Sequence, residues 1–168
     1  QNSDSVSKAS STGQLTAEQM FANDRVTEVK VELAEDDWDE IRNHARSFGQ
    51  ALGKTPAANP YNYVKGDVTI DGVLIKDVGI RKKGFLGSLN ADRPSLKIKF
   101  EEYVKQEPID GLDRLTLNNN NQDAGRVSQY LTYKLFRDSG TISPRCGFAK
   151  VWVNGKYLGL YSNVEASK

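Results

Sequence analysis

A chain of 168 residues, 38% apolar and 27% charged, has the length and composition of a single globular domain with a core of its own. A formal charge of +1 favours neither nucleic acid nor an acidic membrane, so an anion site has to come from local clustering. No run approaches the roughly 18 apolar residues of a membrane span, and the one cysteine, Cys146, excludes an internal disulfide and reads as a buried, inert thiol.

In chain order, residues 1–14 (QNSDSVSKASSTGQ) offer only Val6 and Ala9 to bury and read as flexible. The polar leader as a whole is drawn at 1–20, with one domain over 21–168. A start of this kind is typical of an exported protein after signal removal. The first strand is RVTEVKVEL, where Val29, Val31 and Leu33 alternate with charges. EDDWDEIRNHARSFG follows with Trp38, Ile41, Ala45 and Phe48 at helical spacing, Asp36 as its cap and Gly49 as its stop. The single histidine, His44, reads as a boundary residue beside that stripe.

Residues 61–100 read as strands: YNYVKGDVTI, a tight turn at Asp71-Gly72, VLIKDVGIRKKG, and SLKIKF. RLTLN is another strand. An asparagine-rich approach then leads into a second helix, with Asp123 as its cap, an apolar stripe of Val127, Tyr130, Leu131, Lys134 and Leu135, and Gly140 as its stop. FAKVWV and KYLGLYSNVE close the chain as a hairpin turned at Asn154-Gly155. These elements predict an α+β class: a mostly antiparallel sheet with two helices packed on it.

Strand periodicity puts Lys97 and Lys99 on the face opposite Leu96, Ile98 and Phe100, and separates Arg81 and Lys83 from Ile80 and Lys82. If the two strands are neighbours, Arg81, Lys83, Lys97 and Lys99 share a face, where they repel one another unless an anion or an acidic element covers them. Two readings stay open. One is a solvated face with the lysines spread in water. The other is a polyphosphate site, in which a loop with Gly84, Gly87 and Ser88 brings backbone N–H groups close to phosphate oxygens. The glycine spacing matches neither common phosphate-loop pattern.

The succession DVTIDG, VGIRKKGFLGS, PSLKIKF, GLDRLTLNNNNQD, YLTYKLFRDSG and RCGFAKVWVNGKYLGLYSNVE, from about Trp38 to Glu165, resembles the CotH (spore-coat protein H) kinase family. The resemblance implies a fold like the N-terminal lobe of an atypical protein kinase. It also implies ATP with Mg or Mn as cofactors, a protein phosphoacceptor, and a secreted, cell-surface or spore-associated location. Carried over residue by residue, Arg81, Lys83 and Gly84 match the family's R-x-K-G, Ser88 the small polar end of its loop, and Lys97 and Lys99 the lysines of the next strand. Together they resemble a nucleotide-binding wall. Glu165 matches the glutamate that closes G-L-Y…E, similar to a hinge where adenine docks. Asp123 is taken as a cap, with direct ligation as the alternative.

Two departures accompany the resemblance. A kinase lysine is usually held by a helix glutamate, yet the only acid from Ala124 to Gly140 is Asp138. The family also continues past G-L-Y…E into a second lobe bearing the catalytic and metal-binding aspartates, so the expectation is an N-terminal lobe alone, with no catalytic residue and no metal set assigned. On that basis Leu158, Leu160, Tyr161 and Val164 are expected to leave an uncovered patch and an exposed strand edge, met by the missing lobe or by self-association. The alternative function is a noncatalytic exported module that holds an anionic partner on the basic face, with Tyr61, Tyr63, Trp152 and Tyr157 as contact surface. A nucleic-acid role is disfavoured, because the cationic cluster is not interleaved with aromatics.

Overall fold

Apolar residues recur at every second position over seven stretches, and a sheet built from such stretches has one face to bury. In the computed structural model, which describes residues 15–22, 24–44, 61–84 and 90–166, that face is buried by closing the sheet on itself. The strands are β1 (Val26–Leu33), β2 (Val64–Ile70), β3 (Val73–Lys83), β4 (Ser95–Lys99), β5 (Arg114–Asn118), β6 (Cys146–Val153) and β7 (Lys156–Glu165). They pair in the order β1-β2-β3-β4-β5-β7-β6 as a closed barrel. Every neighbouring pair is antiparallel except the seam, where β6 runs parallel to β1 from Val26↔Phe148 to Val31↔Val153.

Register carries the alternation inward. Val29 meets Ile70 and Val151, Ile80 meets Ile98, and Leu96 meets Leu117, all of them fully buried. Asp71-Gly72 and Asn154-Gly155 form the two tight turns, with φ of 47° and 86° and of 47° and 77°, the double positive φ that glycine favours and that matches strand twist. β3 carries an extra residue against β2 between Gly66↔Val78 and Val68↔Ile75. There Asp77 takes φ 56° and its N–H donates to Asp67 Oδ1 at 2.9 Å.

Closure overturns the expected α+β class and its likeness to a kinase N-terminal lobe, because the apolar face is buried inside the barrel instead of under two helices. α1 (Ala17–Met20) falls in the stretch assigned to the leader, and Leu15, Ala17 and Met20 join the core. α2 (Glu35–Asn43) buries Trp38 and Ile41; Ala45, Phe48 and Gly49 lie outside the described residues. Asp36 is not its cap. Ala34 holds that position without a side-chain bond, and Glu35, Asp36 and Asp37 occupy the first turn, where the helix dipole favours acids. α3 (Ser128–Asp138) buries no residue, and Leu131 and Leu135 of its expected core stripe are 54% and 67% exposed.

The expected exposed edge is also absent, since β7 is paired with β5 on one side and β6 on the other. Of the four residues expected to form a patch, Leu158, Tyr161 and Val164 are buried and Leu160 is half-buried. No described helix is long and apolar enough to cross a membrane.

Candidate functional site

The residues that point away from the core on β3, β4 and β5 form a polar outer wall. Arg81 lies opposite Lys97, and Lys97 opposite Thr116; Lys83 lies opposite Ser95, and Lys99 opposite Gly79 and Arg114. Lys82, out of phase with them, is buried on the inner side at the barrel end. Its Nζ donates to Arg42 O at 2.8 Å, satisfying a carbonyl of the last turn of α2 that has no partner within the helix.

Beside the outer wall lies a cleft of about 700 Å³, lined by residues 118–123, Ser128 and Gln129 and by Tyr61, Arg81, Lys83, Gly84 and Ser95. A smaller space of about 260 Å³ adjoins it beneath α3 and takes in Lys83, Lys97, Thr116, Tyr133 and Glu165. Lys83 therefore borders both. Burial, followed by repulsion from Lys97 and Arg81, holds the Lys83 ammonium below the usual lysine range. Lys97 is lowered chiefly by burial, then by Arg81 and Arg114, with Asp113 acting weakly against. Among the described residues, neither lysine has a carboxylate within ion-pair distance. Arg81 stacks over the Tyr63 ring at 5.2 Å.

The other expected site residues are placed differently. Lys99 shares the outer face but is paired with Glu102 at 2.8 Å and does not line the cleft. Gly84 lines it, at a φ of 144° that side chains rarely allow. Ser88 lies outside the described residues. Glu165 accepts two bonds from the Arg145 guanidinium, at 3.0 and 2.7 Å, and that pairing holds it below the usual carboxylate range. Asp123 accepts from the N–H groups of Ser128 (2.7 Å) and Gly125 (3.1 Å), so both oxygens fix the approach to α3. Of the aromatics expected as a contact surface, Tyr61 is buried, while Trp152 and Tyr157 stack at 4.8 Å on β6 and β7.

The CotH kinase protein family model matches residues 80–168, more than half of the chain, and takes in Arg81, Lys83, Lys97 and Thr116 of the outer wall. The chain belongs to the CotH kinase family. No curated protein matches it. In this CotH-family chain the asparagine run contributes more to the cleft than its reading as a helix approach allows. Asn119 and Asn120 are structural: Asn119 Nδ2 donates to Arg93 O at 2.7 Å, and Asn120 Nδ2 to Ser162 Oγ at 2.8 Å. Asn118 instead faces the cations, its Oδ1 accepting from Lys83 Nζ at 2.9 Å. The period-2 rule gives the signal, since Asn118 is two residues beyond Thr116 on β5 and so shares its outer face. Arg93 is a second residue the cationic pattern did not single out. It binds Leu160 O at 3.1 Å and stacks over Tyr161, tying the loop before β4 to β7.

Proposed function

We propose that this CotH-family chain holds the polyphosphate of ATP against Arg81, Lys83 and Lys97, for transfer of the γ-phosphoryl group to serine hydroxyls of a protein. The observation that carries the reading is the pair Lys83 and Lys97, cations of one outer wall pressed below their usual pKa with no ion-paired carboxylate among the described residues. An anion in the cleft relieves both the mutual repulsion and the lost hydration. Phosphoryl transfer needs charge neutralised and oxygens held in line, and the wall supplies charge and position. Gly84 lines the cleft at a φ of 144°.

Family membership is what supports nucleotide and metal use. The nucleotide fits the cationic wall. A divalent metal finds no group of three ligating side chains among the described residues, and Asp123, the carboxylate that lines the larger cleft, is engaged by backbone N–H groups. The family supports a spore-associated location.

Isothermal titration with ATP tests the reading. Lys83→Ala or Lys97→Ala should weaken binding by about 1–3 kcal/mol, the worth of a charge-assisted hydrogen bond, with the fold intact. Unchanged affinity in both variants would remove these residues from the site. Thermal stabilisation by a sulfated polysaccharide but not by ATP with Mg or Mn would favour the noncatalytic anion-binding module instead.

A further inference from the structure

A lysine that binds phosphate has to be held still without being neutralised. A carboxylate partner holds it at the expense of its charge, whereas an amide holds it and leaves the charge in place. Lys83 Nζ donates to Asn118 Oδ1 at 2.9 Å, and Asn118 Nδ2 donates to Gln129 Oε1 at 2.8 Å. Asn118 ends β5 and Gln129 lies in the first turn of α3. An amide has one accepting and one donating end, and here both are used. Turning Asn118 over would set its NH₂ against an ammonium and its oxygen against another oxygen, so the two bonds fix each other's sense.

We propose that Asn118, oriented by Gln129, is a positioning residue that holds Lys83 toward the anion without an ion-paired carboxylate and makes the cleft select for the most highly charged phosphate chain. The inference rests on the reading of the cleft as a polyphosphate site. The charged groups around Lys83 are Arg81 on its own strand and Lys97 on β4. β5 and α3 add only the neutral Thr116, Asn118, Gln129 and Tyr133; Glu165 of β7 is engaged by Arg145, and Asp123, on the larger cleft, is engaged by the N–H groups of Gly125 and Ser128. Arg81, Lys83 and Lys97 on one wall attract a ligand in proportion to its charge, so triphosphate gains over diphosphate. The relay also joins the wall to α3, which places the first turn of that helix in control of the lysine.

The test uses inorganic tripolyphosphate and pyrophosphate as probes, titrated calorimetrically into the 168-residue chain and its variants, with unfolding midpoints confirming the fold. Wild type should prefer tripolyphosphate. Asn118→Ala should lose about tenfold in tripolyphosphate affinity, the scale of one hydrogen bond to a charged group. Gln129→Ala should lose less, and the double variant no more than Asn118→Ala, because Gln129 acts through Asn118. Asn118→Asp should narrow the preference for tripolyphosphate over pyrophosphate, which a merely structural role does not move. Additive losses, or an Asn118→Asp preference equal to that of wild type, would overturn the relay. A wild-type chain that binds neither probe overturns the polyphosphate reading itself. The relay is then decided by the Lys83 side-chain resonance of the ligand-free protein, which Gln129→Ala shifts if the relay exists and leaves in place if it does not.

Discussion

Tyr161 and Glu165 stand four residues apart on β7 and answer to opposite ends of the pH scale. The Tyr161 ring is fully buried and its hydroxyl donates to Pro94 O at 3.2 Å. Burial pushes its pKa up to about 12 from an ordinary 10.0. Its folded pKa is raised, so its contribution is complete below pH 10 and is lost as pH climbs toward about 12, with a total of about 3 kcal/mol for a two-unit shift. Cys146, pushed by burial up to about 11 from 9.0, adds a loss that begins earlier. Glu165 is lowered by Arg145, so its contribution is present above its ordinary value of 4.5 and is lost as pH falls through its depressed folded value. Denaturant unfolding across a pH series should show both flanks. Tyr161→Phe should flatten the upper part of the alkaline one and Glu165→Gln the acid one; an unchanged alkaline slope in Tyr161→Phe would show that the hydroxyl does not govern it.

At the scale of elements, strands and α3 contrast in what their apolar residues do. Ile98 of β4 is fully buried between Ile80 and Leu115, and Ile98→Ala should cost about 2–5 kcal/mol in denaturant unfolding. Leu131 and Leu135 of α3 face solvent, so Leu131→Lys and Leu135→Lys should each shift stability by no more than about 0.5 kcal/mol. A loss of several kcal/mol there would mean that this face packs against something in solution. The same contrast shows what was legible in the sequence. Period-2 alternation and the Asp-Gly and Asn-Gly turns are local signals, and they locate the strands and two hairpins to within a few residues. Helical spacing at Leu131 and Leu135 locates α3 but does not say which layer receives the stripe. In α3 the inward contact is made by Tyr130, whose ring lies 5.1 Å from Phe148, rather than by the leucines. In the candidate site the cations were legible because a strand fixes their face. Asn118 and Gln129 were not, because their roles depend on how β5 and α3 meet.

At the scale of the whole molecule, the misread class comes from one contact. Most antiparallel pairs join consecutive strands, but β5 pairs with β7 across α3 and β6, and the seam joins Val26 to Phe148, with most of the chain between them and no periodicity to mark it. A closure of that span is entropically slow to form relative to hairpins. Folding should therefore take milliseconds to seconds, with the seam forming late. Val31→Ala and Val153→Ala, at positions that meet across the seam, should raise the unfolding rate and leave the folding rate almost unchanged, while Ile98→Ala slows folding. Stopped-flow chevrons decide this, and a large fall in folding rate for the two seam variants would place closure early instead.

The order of manufacture gives that seam a further meaning. β1 leaves the ribosome well before the β6 segment that completes it, and for that interval one side of β1 is a row of unmatched amides and carbonyls able to adhere to any passing strand. The residues on its outward positions, Glu28, Lys30 and Glu32, are charged, and Glu28 and Lys30 pair at 2.5 Å in the finished barrel. Their side chains alternate in sign along a strand that must wait, which discourages stacking against another nascent copy of itself. Replacing them with threonine would cost little in the folded protein and a great deal in the yield of soluble chain.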